Sequence, residues 1–492
     1  MRFKKVLLIQ AKYDRTFSNV LPYGLGILSE VLTKNGISNA VFDLNKDDSF
    51  ERLTRKIFSF KPDLIGLSLM TLNYKYNFEI MRKVRKVWKD AKIIAGGPHI
   101  STLRAEVLRD IKVIDYGAVL EGEKTLLELC RGEEVNNIKG LLYRMPSGSV
   151  IYTGDREFIT DLDEIPFPKY GKFSKSIYSG LITIITSRGC PYTCIYCPVN
   201  LAVGRMLRFR SAENVVREIE YHYKLGYREF SFRDDNFTLD KNHVYKICDS
   251  IEKRGLKDLY LMCDNGIRAD KVDTELLRRM REVGFRMLGF GIESGSQKVL
   301  NNIKKNEKVE EMKQAVGIAC ELGYEVELFF LIGSPGETWD DFLESVKFAT
   351  EFPVSIVSFY QLLPYPATEL FDYVSKNGRF AAAPEVYLNN GSQRKNTPFF
   401  ETPELSFKER KKAFRFALNA VRNSPVITSA RKRRRKNNIA GKLTSFGIEG
   451  RARDVVCAIY CNNFLHERVF TSRLAARLKK AIERRGLRIK EL

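Results

Sequence analysis

Short apolar runs alternate with amphipathic stretches along the first 140 residues of the chain. The runs have the length of buried strands, and they fall at residues 5–10, 40–43, 64–69 and 92–95. The stretches between them have helical periodicity, at residues 23–35, 50–60 and 78–89. Strands that alternate with helices indicate a parallel sheet with right-handed crossovers and ligands at the carboxyl ends of the strands. We therefore predict an α/β domain with a doubly wound parallel sheet over residues 1–140.

A second series of strands and helices begins at residue 181. Its predicted strands are short, continuous apolar runs at residues 181–186, 229–233, 258–263, 287–291, 325–332 and 355–363. The six units occupy about 190 residues, which is enough for a partial (β/α)6 barrel, and we assign the barrel to residues 181–395. The alternation is lost in the connecting residues 141–180, where residues 143–152 predict a small hairpin and Pro166-Phe-Pro168 indicates a linker.

Net charge separates the end of the chain from its body. The 492 residues carry a formal net charge of +22, and residues 401–492 hold 24 Lys and Arg against 8 Asp and Glu, which leaves +6 for the first 400 residues. An apolar content of 44% excludes a disordered protein, and no run approaches the ~18 apolar residues of a membrane span. Nine cysteines with only one cluster indicate a reducing compartment, and without a signal peptide we predict a cytoplasmic protein.

The cysteine cluster follows the first strand of the second series. Cys190, Cys194 and Cys197 have the spacing C-x3-C-x2-C, which can place three thiolates around one face of a metal cluster. A structural zinc ion is the alternative, but zinc takes four ligands, and the nearest candidates, His222 and Cys248, lie 25 and 51 residues beyond Cys197. A 4Fe–4S cluster normally takes four cysteines, so three would leave one iron open to a substrate or cofactor.

This triplet, with Tyr196 directly before the third cysteine, resembles the signature of the radical S-adenosylmethionine (SAM) superfamily. The resemblance implies a partial barrel that holds a 4Fe–4S cluster, whose open iron binds the amino and carboxylate groups of SAM. An electron from the cluster would then cleave SAM to a 5′-deoxyadenosyl radical, and the donor of that electron would be of the flavodoxin or ferredoxin type. By this resemblance Cys190, Cys194 and Cys197 are the cluster ligands, and Tyr196 is a neighbour of the adenine.

Polar residues at the ends of the next three barrel strands match the same superfamily. After the second strand, Asp235 is the candidate contact of the methionine amino group of SAM. After the third strand, Arg268 is the candidate partner of the methionine carboxylate. Glu293 and Ser294 follow the fourth strand, where the family has a polar pair that meets the ribose hydroxyls.

The last two strands continue the match. Ile332 and Gly333 end the fifth strand in a turn that resembles the one beside the adenine. Pro364-Tyr-Pro-Ala-Thr368 resembles the segment after the sixth strand, with alanine in place of the usual glycine. Taken singly, each of these motifs also fits an acidic surface turn, a helix cap or a tight turn, and it is their order behind the cysteine triplet that favours a SAM site.

Residues 1–140 resemble the cobalamin-binding domain that precedes the barrel in one large class of radical SAM enzymes. The matching motifs contain the residues that we predict to bind cobalamin, which are Tyr23, Gly24, Ser68, Gly96, Gly97, His99, Glu121 and Gly122. Glycines at strand ends let the backbone approach a flat corrin ring or its nucleotide tail, and Ser68 can hydrogen-bond that tail. A nucleotide-binding domain of the same fold is the alternative, because the fold alone does not specify a ligand.

One motif of cobalamin domains is missing. Base-off mutases carry Asp-x-His-x-x-Gly after the first strand, whereas residues 11–20 contain no histidine. Loss of this histidine is common in the radical SAM class and would leave the lower face of cobalamin to a side chain that does not bind cobalt; a vestigial domain without cobalamin is the alternative. Methylthiotransferases need a second cysteine triplet in this domain, and the single Cys130 excludes that subclass.

Residues 396–492 are predicted to form a basic, mostly helical extension. An amphipathic helix at residues 405–421, the basic tract 431–436 and a second amphipathic helix at residues 471–485 follow one another. Basic clusters beside amphipathic helices suit an anionic membrane surface, and we place RNA or another nucleic acid second, since no RNA-binding module is recognisable. A solvated surface without a partner is the plain alternative.

The residues and the resemblance together predict a cytoplasmic radical SAM enzyme, which the extension could attach to the inner membrane surface. The favoured reaction is cobalamin-dependent methylation of an unactivated carbon in a small-molecule or lipid substrate, for which the basic extension suggests anionic character. The first alternative is radical cyclisation or C–C coupling of a lipid or other metabolite without cobalamin chemistry. The second is a cobalamin or iron–sulfur sensor that binds nucleic acid.

Overall fold

The computed structural model describes residues 2–12, 20–173, 180–390 and 392–427, which form two α/β units that share one hydrophobic core cluster. The strands of the first unit are β1 (Lys5–Gln10), β2 (Ser38–Asp43), β3 (Leu64–Ser68), β4 (Lys92–Gly96), β5 (Tyr116–Ala118), β6 (Leu141–Arg144) and β7 (Val150–Tyr152). Its helices are α1 (Tyr23–Lys34), α2 (Phe50–Phe60), α3 (Tyr74–Val87), α4 (Pro98–Leu103), α5 (Ala105–Asp110) and α6 (Gly122–Arg131).

The first unit is a seven-stranded sheet with the order β2-β1-β3-β4-β5-β6-β7. Strands β1 to β5 are parallel, and their apolar residues are buried because helices cover both faces of the sheet. In register, Gln10 pairs with Ser68, and Ser68 pairs with Gly96. The carboxyl ends of these strands therefore meet at one edge, where the predicted cobalamin residues of β3 and β4 lie side by side.

The predicted hairpin is present, but it belongs to the N-terminal sheet. β6 pairs antiparallel with β5, where Tyr116 lies opposite Tyr143, and β7 pairs antiparallel with β6. The hairpin thereby extends the sheet at the edge that β5 would otherwise expose. The first unit consequently ends near Tyr152, and not at the predicted boundary of residue 140.

The second unit contains the cysteine triplet. Its strands are β8 (Leu181–Ile184), β9 (Ser187–Arg188), β10 (Arg208–Phe209), β11 (Glu229–Phe232), β12 (Tyr260–Ile267), β13 (Phe285–Glu293), β14 (Glu325–Ile332), β15 (Ile356–Gln361), β16 (Arg379–Phe380) and β17 (Phe400–Glu401). Its helices are α7 (Val199–Val203), α8 (Ala212–Lys224), α9 (Lys241–Lys253), α10 (Thr274–Glu282), α11 (Gln297–Asn302), α12 (Val309–Glu321), α13 (Trp339–Glu351), α14 (Glu369–Asn377), α15 (Pro384–Asn390) and α16 (Phe407–Asn423).

Six of these strands form a parallel sheet with the order β15-β14-β13-β12-β11-β8. Within the described part of the chain, β8 and β15 form no ladder with each other, so the barrel is open, as predicted for a partial (β/α)6 barrel. Glu293 at the end of β13 pairs with Phe330, and Ile332 at the end of β14 pairs with Gln361. The residues that follow these strands therefore share one rim of the barrel.

Helix α16 closes the described chain and packs on the barrel. Ser406 and Glu409 form a capping box at its start, and the helix contacts α13 and the edge strand β15. The predicted amphipathic helix is thus present, but Phe414 and Val421 are buried against the barrel, whereas Leu418 is exposed. The barrel thus covers the part of the apolar face that contains Phe414 and Val421, and a membrane role of the extension stays a prediction.

Other parts of the predicted extension lie outside the described residues, namely the basic tract 431–436 and the second amphipathic helix at residues 471–485. Among the helices that are described, none combines the length and the apolar content needed to cross a bilayer.

Candidate active site

The three cysteines lie in a loop, residues 189–207, that joins β9 to β10; we call it the cysteine loop. Two backbone hydrogen bonds fix its centre: the Ile195 N–H donates to the Ile303 carbonyl at 3.2 Å, and the Ile195 carbonyl accepts from the Leu370 N–H at 3.0 Å. Inside the loop, the Cys197 N–H donates to the Cys194 carbonyl at 3.1 Å. The loop is thereby held between the end of α11 and the start of α14, at the rim of the barrel.

The thiols of Cys190, Cys194 and Cys197 are close neighbours and form no disulfide. Burial raises the pKa of Cys197 to about 12, and the charges of Cys194 and Cys190 raise it further. Neutral thiols of this kind become thiolates when a metal replaces their protons. Among the described residues, no three His, Cys, Asp or Glu side chains converge as ligands of a single metal ion. Ligands of a four-iron cluster do not need to converge in that way, because each thiolate binds its own iron.

Two adjacent aspartates follow β11 and have different surroundings. Asp234 is buried, and its Oδ1 accepts from the N–H and hydroxyl of Thr186 at 2.9 Å and from those of Ser187 at 2.6 Å. It therefore fixes the chain that leads into the cysteine loop. Asp235 is half-buried in the wall of a cavity, and burial together with the charge of Asp234 raises its pKa to about 6. This position beside the thiols is open to a cationic group, and the predicted contact with the amino group of SAM stays a prediction.

Arg268 lies beside the cysteine loop, but protein groups occupy its donors. Its guanidinium stacks on Tyr192, with Cζ 3.7 Å from the ring centroid, and donates to the carbonyls of Lys305 at 2.8 Å and Asn306 at 2.9 Å. Its Nε donates to Asp270 at 2.9 Å. A planar group with its donors engaged in this way braces the loop, and the predicted contact with the SAM carboxylate stays a prediction.

Glu293 and Ser294 point to different sides of the barrel wall. Glu293 has φ +67° and accepts a hydrogen bond from the Tyr196 hydroxyl, so it faces the cysteine loop. Ser294 is fully buried, and its Oγ lies 3.2 Å from the Oγ of Ser345 on α13. The predicted polar pair is thus reduced to one residue, because the side chain of Ser294 is directed at the outer helix.

Two residues near the thiols were not predicted. The Nζ of Lys305 lies 3.4 Å from Glu293 and 3.3 Å from Glu307, with only 7% of its side chain exposed. Burial alone would lower the pKa of Lys305, but these carboxylates outweigh it and raise the pKa. Tyr365 is half-buried near Cys197, and desolvation and the thiol both raise its pKa. Lys305 belongs to no short motif, and Tyr365 lies in the segment 364–368 without a role assigned to it, so the fold is what places both beside the thiols.

The turns after β14 and β15 have backbone conformations that favour glycine. Gly333 has φ +94° directly after the buried Ile332, and its N–H donates to Glu337 at 2.5 Å. Ala367 has φ +64°, at the position where the sequence shows alanine in place of glycine. An alanine in this region is strained by about 1 kcal/mol, which explains the preference for glycine at that position.

A cavity of about 550 Å³ lies between the two units, at the carboxyl ends of both parallel sheets. Seven of the eight predicted cobalamin residues line it, namely Tyr23, Gly24, Ser68, Gly96, Gly97, Glu121 and Gly122. On the barrel side its wall includes Arg233 and Asp235. A Cβ built on Gly24 would meet no atom within 4 Å, so this glycine leaves the wall open to a bulky ligand.

His99 is the exception among the predicted cobalamin residues. Its ring is buried and stacks on Tyr74 at a centroid distance of 4.5 Å, with Phe78 at 5.9 Å. Burial lowers the pKa of His99 to about 4, so the imidazole is neutral. Because α4 directs this side chain into the aromatic cluster and not into the cavity, the prediction that His99 contacts cobalamin is wrong for this structure.

The chain matches two family models. Residues 184–349 match the radical SAM superfamily, and residues 15–130 match the B12 binding domain. The first match begins at the end of β8 and includes the cysteine loop, and the second covers the strand ends that line the cavity on the N-terminal side.

Relatives agree with this assignment. A Pyrococcus horikoshii protein named as an uncharacterized methyltransferase is 29% identical over 391 residues, which cover 77% of this chain and 84% of the relative. The anaerobic magnesium-protoporphyrin IX monomethyl ester cyclase of Rubrivivax gelatinosus is 26% identical over 391 residues, with coverage of 75% and 69%. The solved structure of TsrM from Kitasatospora setae, a radical SAM methyltransferase with cobalamin and a 4Fe–4S cluster bound, shares the fold with a TM-score of 0.69 at 18% identity, over 84% of this chain and 91% of TsrM. The chain therefore carries a radical SAM domain, and a B12-binding domain precedes it.

Proposed function

We propose that this enzyme reductively cleaves SAM and methylates an unactivated carbon of a small-molecule or lipid substrate in a cobalamin-dependent reaction. One observation carries the proposal: a single cavity of about 550 Å³ has both Asp235, beside the cysteine loop, and the glycines of the B12-binding domain in its walls. Asp235, one of the residues predicted to hold SAM, and seven residues predicted to hold cobalamin thus face one space, as a methyl transfer that needs both would require.

The two domains imply a 4Fe–4S cluster, SAM and cobalamin as cofactors, and the residues present fit them. Cys190, Cys194 and Cys197 are near enough to influence one another's charge, as thiolates on one cluster must be. Gly24 and Gly122 supply a wall without side chains, on which an added Cβ would have no neighbour closer than 3.9 Å. When bound, the cluster supplies the electron that cleaves SAM and cobalamin supplies the methyl group.

In this proposal the chain's own residues position SAM. Asp235 has a pKa of about 6, so a cationic amino group that arrives beside it will favour the ionised carboxylate. Asp234 holds the entry to the cysteine loop, and Glu293 holds the Tyr196 hydroxyl. These contacts are made without any ligand, so the site is preorganised for SAM.

The cavity wall between these two sets of residues is largely apolar. Its apolar side chains come from both units and include Leu25, Leu67, Met70, Leu120, Ile185 and Val203. Such a wall suits a substrate carbon that carries no activating group.

The electron for SAM cleavage would come from a separate protein of the flavodoxin or ferredoxin type.

Radical cyclisation without net methylation is a second candidate, favoured by the similarity to the Rubrivivax gelatinosus cyclase. It would use the same cysteine loop and the same cavity. The two reactions differ in what SAM becomes, because methylation consumes one SAM as methyl donor and a second as the source of the radical, whereas cyclisation needs only the second.

The products of SAM test the proposal. Protein purified from cobalamin-fed cells and reconstituted with iron and sulfide would be incubated with reduced flavodoxin, methyl-labelled SAM and a small-molecule extract. Methylation predicts S-adenosylhomocysteine and 5′-deoxyadenosine in about equal amounts and a labelled product that is one methyl group heavier. A matched preparation without cobalamin should lose S-adenosylhomocysteine and the labelled product. 5′-Deoxyadenosine without S-adenosylhomocysteine in the cobalamin-loaded protein would contradict methylation and support cyclisation.

A further inference from the structure

The two ends of the cysteine loop carry arginines that lie opposite each other. In the antiparallel pair β9–β10, Arg188 is in register with Arg208. Arg188 precedes Cys190 by two residues, and Arg208 is the first residue after the loop. Like charges directly opposite on neighbouring strands repel, so this pair of strands is unfavourable unless negative groups lie between the arginines.

The N-terminal domain supplies those negative groups. Arg188 Nη1 lies 2.9 Å from Glu121 Oε1, Arg188 Nη2 lies 2.6 Å from Glu123 Oε1, and Arg208 Nη1 lies 2.7 Å from the same Glu121 oxygen. The other Glu121 oxygen accepts from the Ile159 N–H at 2.8 Å. We call Glu121, Glu123, Arg188 and Arg208 the interdomain ion-pair cluster.

Because the interdomain ion-pair cluster is buried, it fixes the relative position of its groups more than it adds to the stability of the protein. The side chains of Arg208 and Glu121 are only 4% and 8% exposed, and the two carboxylates balance the two guanidinium groups. Desolvation of buried ion pairs offsets most of their attraction, so their net contribution to stability is small, whereas removal of one partner is costly. Such a cluster therefore fixes how the two domains fit together.

The backbone directly before Glu121 of the interdomain ion-pair cluster is strained. Leu120, the residue before Glu121, has φ +62°, a conformation that is rare for leucine. Its N–H donates to the Ser101 hydroxyl at 2.9 Å, which holds the turn in place. Strain of this kind persists only where the surrounding contacts determine the conformation. Here the turn places Glu121, the residue before α6, so that its side chain reaches the arginines of the second unit.

A second contact also joins the end of the cysteine loop to the N-terminal domain. Arg210, two residues after Arg208, donates to the Tyr23 hydroxyl of the N-terminal domain at 3.1 Å. Glu218 and Asn214 hold the same guanidinium at 2.5 Å and 2.6 Å. Tyr23 and Glu121, two residues predicted to bind cobalamin, are thus both held by arginines that flank the cysteine loop.

We propose that Glu121 and Glu123 are positioning residues for the iron–sulfur site: by neutralising Arg188 and Arg208 they hold the two ends of the cysteine loop together. The N-terminal domain is accordingly required to order the cysteine loop, even when no cobalamin is bound. This role is distinct from cobalamin binding, and it does not depend on whether the product is methylated or cyclised.

Hydrogen–deuterium exchange of the full-length protein, reconstituted with iron and sulfide and without cobalamin, tests this role. Glu121→Gln keeps the shape of the side chain and removes its charge. Glu164→Gln is the matched control, because Glu164 forms an exposed ion pair at 3.8 Å with Lys124 of α6, the helix that follows Glu121. We expect Glu121→Gln to raise exchange in residues 189–207 on the order of tenfold and to lower bound iron, with β1–β4 unchanged. Glu164→Gln should match the wild-type protein in both measurements.

The alternative outcomes are distinct. Wild-type exchange in residues 189–207 and wild-type iron content in Glu121→Gln would overturn the proposal. If a separate, cobalamin-fed preparation of that variant then binds less cobalamin than the wild-type protein, Glu121 is a cobalamin contact instead. If Glu121→Gln does not fold, Glu123→Gln removes the ion pair between Glu123 and Arg188 and keeps the one between Glu121 and Arg208. A smaller rise in exchange of residues 189–207 in that variant supports the proposal, and none contradicts it.

Discussion

Gly333 at the end of β14 lies against the guanidinium of Arg410 from α16, so closely that a Cβ at Gly333 would overlap it. Arg410 is buried, donates from Nε to the Leu405 carbonyl at 3.1 Å and lies over the Phe400 ring, with Cζ 4.1 Å from its centroid. The start of the basic extension therefore supports the turn that we predict to lie beside the adenine of SAM.

Gly333→Ala should destabilise the protein and weaken SAM binding. The substitution adds a side chain where φ is +94° and where Arg410 leaves no space, and we expect about 1–3 kcal/mol of lost unfolding free energy and a raised KM for SAM. Gly148→Ala is the matched control, since Gly148 has φ +90° but open space around it. Urea unfolding of the two variants separates the overlap from the backbone strain, and equal losses would contradict the account of Arg410.

Glu337 should make stability depend on pH. Burial raises its pKa from 4.5 to about 7, and the N–H groups of Gly333 and Ser334 and the charge of Arg410 only partly oppose this. The folded protein then binds a proton that the unfolded chain has already released, so this contribution is fully present below pH 4.5 and is lost as pH rises through 7.

The comparison with Glu337→Gln isolates that contribution. We expect the difference in unfolding free energy between the wild-type protein and Glu337→Gln to decrease as pH rises from about 5 to about 7, measured by urea unfolding at fixed ionic strength. A difference that stays constant over this range would show that Glu337 does not titrate as its burial requires.

Gly24→Leu should separate cobalamin binding from SAM cleavage. The new side chain enters the open part of the cavity, and leucine in place of glycine inside α1 favours the helix by about 1 kcal/mol, so the domain should stay folded. We expect bound cobalamin, measured by its absorption spectrum, to decrease by about tenfold or more, with iron content and 5′-deoxyadenosine formation kept. Full cobalamin occupancy in this variant would place the cofactor elsewhere.

Two truncations test whether α16 and the residues after 427 have separate roles in the basic extension. A chain that ends after residue 427 keeps α16 and loses 18 Lys and Arg against 5 Asp and Glu. We expect it to cleave SAM normally, and to lose partitioning to anionic vesicles if the lost residues act as a membrane address. A chain that ends after residue 404 also loses Arg410 and exposes Phe400. We expect this chain to bind less iron–sulfur cluster and to have a lower free energy of unfolding. Equal SAM cleavage by the two truncated chains would contradict the role of α16.

Much of the fold was predictable because the pattern of apolar runs reports burial directly. All six barrel strands and four strands of the N-terminal sheet coincide with such runs, and the C-x3-C-x2-C spacing located the cysteine loop. Apart from the domain boundary at residue 140, the predictions that failed concern the direction of single side chains. Ser294 lies next to Glu293 but is directed at α13, and His99 adjoins the lining residues Gly97 and Pro98 but is directed at an aromatic cluster.

The extension shows a second limit of sequence patterns. An amphipathic helix has an apolar face whatever covers that face, so the pattern at residues 405–421 could not distinguish a membrane from the barrel. The buried Arg410 in that helix gave no sign of its partner, because Gly333 and Glu337 lie more than 70 residues earlier in the chain. The same holds for Glu121, whose partners Arg188 and Arg208 follow it by 67 and 87 residues.

SAM cleavage is the measurement that tests the central claim most directly. Reconstituted wild-type protein, Cys194→Ala and the control Cys320→Ala, which changes a cysteine of α12 outside the cysteine loop, would be compared for 5′-deoxyadenosine release with a strong reductant. We predict release by the wild-type protein and by Cys320→Ala, and none by Cys194→Ala, because the cluster would lack one of its three protein ligands. Release by Cys194→Ala at the wild-type rate, or no release by the reconstituted wild-type protein, would contradict the assignment of this site.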